Sequence, residues 1–492
     1  MAMLHDRAWY AAFKAKDTRF DGRFFVGVSS TGIYCRPVCR AKLPKVENCT
    51  FYGSAAEAEQ AGFRPCLLCR PELAPGAAPV DATVSLARRA ARLLEENCGS
   101  GQSLEELVGR LGCTDRHLRR AFMAEYRVSP VRYLQTCRLL LAKNLLTDTA
   151  LSVIDVAMAA GFGSLRRFND LFKKQYRLSP TALRRQAEGR GKAGGGGEEG
   201  REVTLTLGYR PPYLWDRMLD FLAFRAIPGV ERVQGGEYSR TARCAGGDGR
   251  IVSGWVRVGH CPQKNALAVT VSFSLLPALP QVLAKVRHLF DLCSDPAAVG
   301  ETLESMNAIH PGLYVPGARL PGCFDAFEMS VRAILGQQIT VKAAGTLAAR
   351  LVAAFGTRLD TGVEGLTHVF PQPEDIAALA GPIGDHLGPL GIIGARANTI
   401  LELAKAFTDD MNFRSLASPE EEIKKLLAVK GIGPWTAEYI AMRAMGWPDA
   451  FLHTDYGVKK ALQPRSEKEI RAMAEAWRPW RSYAVMALWN SL

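Results

Sequence analysis

Tyr34-Cys35-Arg36-Pro37-Val38-Cys39-Arg40 sets two cysteines one helical turn apart between arginines, and Arg64-Pro65-Cys66-Leu67-Leu68-Cys69-Arg70 repeats the device further along. Four sulfurs so spaced can form a disulfide framework, a structural metal site or a reactive thiolate. Zn²⁺ favours four soft ligands in a tetrahedron, with Zn–S near ~2.3 Å. C-x3-C followed by C-x2-C offers that set as two close pairs bridged by a loop. Arg36, Arg40, Arg64 and Arg70 offset part of the excess negative charge of four thiolates on a divalent ion. Twelve cysteines in a reducing compartment argue against disulfides. The reading is one Zn²⁺ in an all-cysteine site held by Cys35, Cys39, Cys66 and Cys69.

A second stretch able to do chemistry is Leu426-Leu427-Ala428-Val429-Lys430-Gly431-Ile432-Gly433-Pro434-Trp435-Thr436-Ala437-Glu438-Tyr439. A helix should end here, the chain turn through Gly-Ile-Gly, and a new helix start with proline at a position proline favours. Glycines let the backbone approach a phosphate, and free N–H groups at a helix start can bind it. Lys430, Gly431 and Gly433 are the candidate contacts of this helix-hairpin-helix. Downstream, Phe451-Leu452-His453-Thr454-Asp455-Tyr456 supplies a carboxylate, Asp455; His453 reads as loop packing. For Trp435, Tyr439 and Trp489, spacing alone favours core packing.

These residues need scaffolds, and composition limits which. A chain of 492 residues allows roughly three domains. With 48% hydrophobic and 23% charged residues it has the balance of a soluble globular protein. No apolar run approaches the ~20 residues of a membrane span, and the start, MAMLHDRAWY, lacks the apolar core of a signal peptide. The expectation is therefore a cytoplasmic protein without a membrane partner. Charge is uneven: residues 1–190 hold 30 Lys and Arg against 18 Asp and Glu, while the other 302 hold 32 against 31. A basic first part suits a polyanion, foremost nucleic acid.

Residues 189–201 contain too many glycines for a fixed conformation and read as a flexible linker; Ala74-Pro75-Gly76-Ala77-Ala78-Pro79 marks a weaker boundary. Between them runs a repeat: Tyr126-Arg127-Val128-Ser129-Pro130 recurs as Tyr176-Arg177-Leu178-Ser179-Pro180, and Phe122 as Phe172. Each copy follows two short amphipathic helices, SLEELVGRLG then TDRHLRRAFMAEY, and SVIDVAMAAGFG then SLRRFNDLFKKQY, with Thr114 and Ser164 as N-caps. Helix, tight turn, capped basic helix is the helix-turn-helix plan. Arg116, Arg119 and Arg120, then Arg166, Arg167 and Asn169, fall where side chains reach base edges in a major groove. Strand-rich segments over 202–290 suggest an antiparallel sheet with helices, and from about 291 the sequence becomes predominantly helical.

Three resemblances sharpen these readings. The stretch from Asp17 to Glu72 resembles the N-terminal domain of the Ada family; this implies zinc on the four cysteines and a methyl group taken from a DNA methylphosphotriester by Cys35. Residues 80–185, including the element from Gly161 to Phe168, resemble the AraC-type DNA-binding domain. Residues 203–490 are similar to the AlkA-type helix-hairpin-helix glycosylases, through PPYLWDRMLDFLAFRA, HPGLYVPGARLPGCFDAFEMSVRAILGQQIT, the hairpin and WRPWRSYAVMALW. That similarity implies a catalytic Asp455, a base pocket of Trp435, Tyr439 and Trp489, and Gln338 where the family's wedge is usually Leu. Relatives with lyase activity carry Lys where this chain has Trp435, which implies a monofunctional enzyme. Lys430 replaces the more usual Pro, and the Pro-Cys-His-Arg nucleophile of the usual Ada protein is missing.

The implied fold class is multidomain α+β. It comprises a small zinc domain (1–75), an all-α tandem helix-turn-helix domain (80–188), the linker (189–201), a mixed-sheet subdomain (202–290) and a two-layer helical helix-hairpin-helix glycosylase domain (291–492). The implied function is DNA alkylation repair: excision of N-alkylated purines such as 3-methyladenine, methyl acceptance at Cys35, and methylation-dependent transcription. Expected partners are double-stranded DNA, both alkylated and promoter, and RNA polymerase, with the protein a monomer. The alternative is an AraC-type regulator with purely structural zinc and a non-catalytic glycosylase fold.

Overall fold

The Tyr-Arg-x-Ser-Pro repeat is a turn that ends one helix and starts the next, and it is built identically twice. Arg127 and Arg177 close the helices Asp115–Tyr126 and Leu165–Tyr176 in the left-handed conformation (φ +55° and +56°). Ser129 Oγ then accepts from Arg132 N at 3.3 Å, Ser179 Oγ accepts from Ala182 N at 3.1 Å, and each proline takes the first helical position. The expected caps form as well: Thr114 Oγ1 accepts from His117 N and Ser164 Oγ from Arg167 N.

The computed structural model describes residues 2–75, 86–99, 104, 113–188, 202–246, 249–409, 411, 413 and 419–492. The expected linker 189–201 and, except for residue 104, the expected helix 103–112 lie outside them. The chain divides into two units. One is Met1–Pro211 with Cys244–Val252 and Cys261–Ala284; the other is Pro212–Arg243, Ser253–His260 and Lys285–Leu492.

In the first unit a four-stranded sheet carries the cysteines. The strand Phe25–Val28 lies between Cys49–Tyr52 and Ile33–Cys35, antiparallel to both (Val26 faces Phe51 and Cys35), and Ile33–Cys35 pairs in parallel with Arg64–Pro65. Trp9 from the helix Ala2–Ala15 stacks on Phe24 at 5.0 Å and buries one face of this sheet. The helices Leu86–Glu96, Asp115–Tyr126, Pro130–Asp148, Val153–Ala159, Leu165–Tyr176 and Pro180–Glu188 form the two helix-turn-helix copies and their connections. Strands Glu202–Gly208 and Ala266–Ser272 pair antiparallel in the same unit.

The second unit holds the antiparallel pair between Glu231–Gln234 and the first residues of Glu237–Ala245. Residues of the 202–290 stretch contribute to both units. Beyond it the described residues of the unit are helical, as expected, apart from two short strands, Thr357–Arg358 and His368–Val369. Ala326–Leu335, Val341–Phe355, Ala395–Asp409, Pro419–Ala428 and Pro434–Ile440 surround one apolar core that includes Val331, Leu351, Ile400, Leu426 and Ile440.

Candidate active site and metal centre

The hairpin forms where the glycines predict it. Pro419–Ala428 ends, Gly431 adopts φ +96°, Gly433 caps, and Pro434 opens Pro434–Ile440. Gly431 is obligatory for space as well as for φ, because a Cβ there would lie 1.9 Å from Thr399 Oγ1. Lys430 and Gly431 are exposed at its tip. A residue that sequence reasoning missed holds the hairpin: Gln337 Nε2 donates to Gly431 O at 3.2 Å and to Thr436 Oγ1 at 3.0 Å.

The new helix delivers two of the expected aromatics. Trp435 and Tyr439, four residues apart, stack with centroids 5.2 Å apart and planes 8° from parallel. Trp489, from Arg481–Trp489, lies 6.3 Å from Tyr439. Asp455 caps Tyr456–Ala461 through Oδ1, which accepts from Val458 N at 3.1 Å. Trp489 Nε1 donates to the same oxygen at 2.9 Å, and Trp435 Nε1 donates to Oδ2 at 3.2 Å. Close packing here requires Gly457, whose Cβ would lie 2.9 Å from Trp489. All four expected residues therefore meet, and with Gln338, Gly431 and Gly433 they line a cleft of about 1280 Å³. Gln338 is exposed with φ +55°.

Three further arginines stand behind the aromatics and carried no local sequence signal. Arg443 donates to Tyr439 Oη at 2.9 Å from a turn of π-helix (Ala441–Met445), while Arg225 and Arg332 also line the cleft. Burial pushes the Tyr439 phenol up, yet the charges of Arg443, Arg225 and Arg332 outweigh it and hold its pKa below the ordinary value. Burial lowers Arg225 to about 10. Arg332 is neutralised from the other side by Glu231 (2.8 Å) and Glu328 (3.1 Å), a buried group that Arg240 completes. Such a site offers aromatic faces for a flat ring, N–H donors for its edge, and one fixed carboxylate beside it.

In the first unit the four cysteines come together from the two loops. Their sulfurs lie within 4.8 Å of one another, a spread that fits a tetrahedral ion with bonds near ~2.3 Å. Cys35, Cys39 and Cys66 are buried and Cys69 is half-buried. Backbone N–H groups of Arg36 and Leu68 point at Cys69 Sγ (3.3 Å) and Cys66 Sγ (3.4 Å), a thiolate-stabilising arrangement. The soft, charge-dense donor set and its N–H contacts fit one Zn²⁺. The arginines are divided in role. Arg36 pairs with Asp21 and donates to Cys69 O at 3.0 Å. Arg70 instead turns to Glu72, Asp148 and Asn144, which ties the cysteine loop to Pro130–Asp148.

On the helix-turn-helix copies, Arg116, Arg119, Arg120, Arg166 and Arg167 are exposed, whereas Asn169 is half-buried. Arg119 is paired with Asp115 at 2.8 Å.

Comparison with known proteins matches four family models in order along the chain. These are "Metal binding domain of Ada" over residues 8–72, "Helix-turn-helix domain" over 107–186, "AlkA N-terminal domain" over 204–325 and "HhH-GPD superfamily base excision DNA repair protein" over 331–481. The Mycobacterium tuberculosis protein named "Probable bifunctional transcriptional activator/DNA repair enzyme AlkA" is 37% identical over 99% of this chain and 97% of its own length. The "DNA-3-methyladenine glycosylase 2" of Escherichia coli is 39% identical over 58% of this chain and 96% of its own length. The "Bifunctional transcriptional activator/DNA repair enzyme Ada" of Escherichia coli is 37% identical over 28% of this chain and 37% of its own length.

Proposed function

The chain belongs to the family of bifunctional transcriptional activator/DNA repair enzymes of the AlkA type, and on that premise we propose that it hydrolyses the N-glycosidic bond of N-alkylated purines such as 3-methyladenine in DNA. The observation that carries this reading is the Asp455 carboxylate, held by indole N–H groups from Trp435 and Trp489 at the head of the cleft.

Alkylation of a purine ring nitrogen makes the base cationic, so it departs with little need of a general acid. What the enzyme must supply is stabilisation of positive charge on the sugar and a placed water, and one ionised carboxylate does both. A base turned out of the duplex is received on the stacked faces of Trp435 and Tyr439. Gln338 enters the gap it leaves, and Lys430 with the hairpin N–H groups of Gly431 and Gly433 takes the strand's phosphates. Trp435 stands where a lyase would have its lysine, so the reaction ends at the abasic site. Release of 3-methyladenine from methylated DNA, lost in Asp455→Asn, tests this reading. If the native protein releases nothing, the chain is a regulator that uses the fold for binding alone.

The zinc centre is read as reactive. Cys35 Sγ attacks the methyl carbon of a methylphosphotriester; the S–C bond forms as the C–O bond breaks, and the phosphodiester departs as an anion. Bound Zn²⁺ keeps the four sulfurs as thiolates at neutral pH. Methylation takes the charge of the centre from about −2 to about −1 and relieves repulsion from DNA phosphates, which tightens promoter binding through Arg116, Arg119, Arg120, Arg166, Arg167 and Asn169. RNA polymerase is the partner of that activated state, with the protein acting as a cytoplasmic monomer. Mass spectrometry after exposure to methylphosphotriester DNA should find one added methyl on Cys35; an unmodified, zinc-loaded protein would make the zinc structural only.

A further inference from the structure

The three arginines of the cleft are committed to different degrees. Arg443 donates to the carbonyls of Pro321 and Gly322 as well as to Tyr439 Oη. Arg332 is paired with Glu231 and Glu328 and donates to Arg225 O. Arg225 has no carboxylate partner among the described residues. Its guanidinium lies over the Phe221 ring, 3.8 Å from the centroid, and its hydrogen bond to Phe221 O is long, at 3.5 Å. Burial lowers its pKa only to about 10, so the group is charged at neutral pH. A planar cation held on a ring, with its backbone fixed by Arg332, thus lines the cleft with donors to spare.

The order of groups along the cleft says what those donors would meet. Asp455 is bonded to Trp435, Trp435 is stacked on Tyr439, and Tyr439 Oη accepts from Arg443. The carboxylate marks the end that takes the sugar, and the arginines mark the far end. In a purine whose glycosidic nitrogen lies at the carboxylate, the opposite edge carries the substituent on C6. That substituent is an amine, a donor, in adenine and its 3-methyl derivative. It is a carbonyl, an acceptor, in 7-methylguanine and hypoxanthine.

Resting on the glycosylase reading above, we propose that Arg225 is a specificity-determining residue that donates to a C6 carbonyl of the flipped base, so that the cleft favours lesions with a carbonyl at that edge over those with an amine. An amine set against the guanidinium leaves donors facing donors, and a buried donor without an acceptor is costly. A cationic base without the carbonyl meets the positive charge with nothing in return. Phe221 fixes the guanidinium plane, which gives the contact its direction.

The test uses the full-length protein, native and Arg225→Met, with two substrates: methylated DNA, which carries 3-methyladenine and 7-methylguanine together, and a duplex with one hypoxanthine. Rates are compared as kcat/KM. In Arg225→Met, release of 7-methylguanine relative to 3-methyladenine should fall about tenfold or more, the scale of a lost hydrogen bond to a charged group. Release of hypoxanthine should fall by a similar factor, while 3-methyladenine, relieved of a nearby like charge, should rise about threefold. Arg225→Lys, with a donor but no fixed plane, should recover part of the loss. An unchanged ratio of 7-methylguanine to 3-methyladenine would overturn the proposal, whether all rates fall together, as for a structural residue, or none does. Loss on hypoxanthine without loss on 7-methylguanine would assign Arg225 to charge and not to the carbonyl, which also overturns it. Should the native protein release no base at all, the glycosylase reading fails, and calorimetric titration with free hypoxanthine decides the contact. Affinity about tenfold weaker in Arg225→Met would uphold it, and equal affinities would sink it.

Discussion

Asp455 and Trp489, thirty-four residues apart, meet in a hydrogen bond of 2.9 Å from the indole Nε1 to Oδ1, and Trp435 reaches the other carboxylate oxygen at 3.2 Å. Both oxygens are thus fixed by donors on rigid planar rings, and both rings also line the cleft. The carboxylate cannot rotate without losing a bond, so its charge is set in place before substrate arrives.

Asp455→Asn should reduce base release by about 10²–10³-fold, the range seen when one preorganised charged or polar stabiliser is removed. The amide lacks the charge, and it has one acceptor where Trp435, Trp489 and Val458 all donate, so its NH2 must face an N–H. Single-turnover release from methylated DNA measures the rate. Affinity for a duplex with an abasic analogue should be retained, and loss of both would point to misfolding instead.

Trp489→Phe keeps an aromatic ring but removes a donor to the carboxylate, leaving Oδ1 with Val458 N alone. We expect kcat to fall about tenfold, equivalent to about 1.4 kcal/mol, with KM nearly unchanged. Steady-state kinetics on methylated DNA separates the two. A rise in KM at constant kcat would show that Trp489 serves base binding and not the carboxylate.

How legible these sites were in the sequence depends on how local their causes are. The cysteines occur as close pairs, so their chemistry can be read from spacing, and the structure brings the same four sulfurs together. The helix caps at Thr114 and Ser164 and the turn at Gly431 are decided within a few residues, and they too were readable. The convergence of Trp435, Asp455 and Trp489 is not local; spacing alone assigned the aromatics to a core, and only a family resemblance placed them in a pocket. Gln337, Arg225, Arg332 and Arg443 escaped because their roles arise from elements far apart in the chain, and nothing beside them marks them. The division of Arg36 from Arg70 escaped for the same reason, since Asp148 lies 78 residues from Arg70.

Glu59 should make the first unit sensitive to pH. It is buried beside Tyr34 (3.1 Å), Thr136 (3.2 Å) and Tyr176, and burial pushes its carboxyl up to about 7 against the partial opposition of Arg132 and Lys143. Because the folded pKa is raised, the folded state binds more protons than the unfolded one between about 4.5 and about 7. Stability from this group is therefore full below that window and declines as pH rises through it. Glu59→Gln keeps the shape and stays neutral, so its protection should be independent of pH here and exceed that of the native protein at pH 8. Hydrogen exchange of Ile33–Cys35 between pH 5 and pH 8, corrected for the intrinsic rate, gives the comparison; parallel curves for the two proteins would rule this out.

Gly431→Ala should damage the hairpin in a way that can be partly undone. The new Cβ would meet Thr399 Oγ1 at 1.9 Å, and the φ of +96° is strained for any residue with a side chain. Thr399 has little room to move, being buried and donating to Ala395 O at 2.8 Å. A loss of about 2–3 kcal/mol is expected from strain and clash together, along with weaker binding to abasic-analogue DNA because Lys430 and the tip N–H groups shift. Removing the hydroxyl as well, in Thr399→Ala/Gly431→Ala, relieves the nearest clash but leaves the backbone strain. The double variant should therefore recover part of the stability and part of the affinity, which thermal melting and a binding titration would report as a favourable coupling between the two positions. If the two losses simply add, the hairpin depends on Gly431 for its φ alone, and the closeness of Thr399 has no energetic consequence.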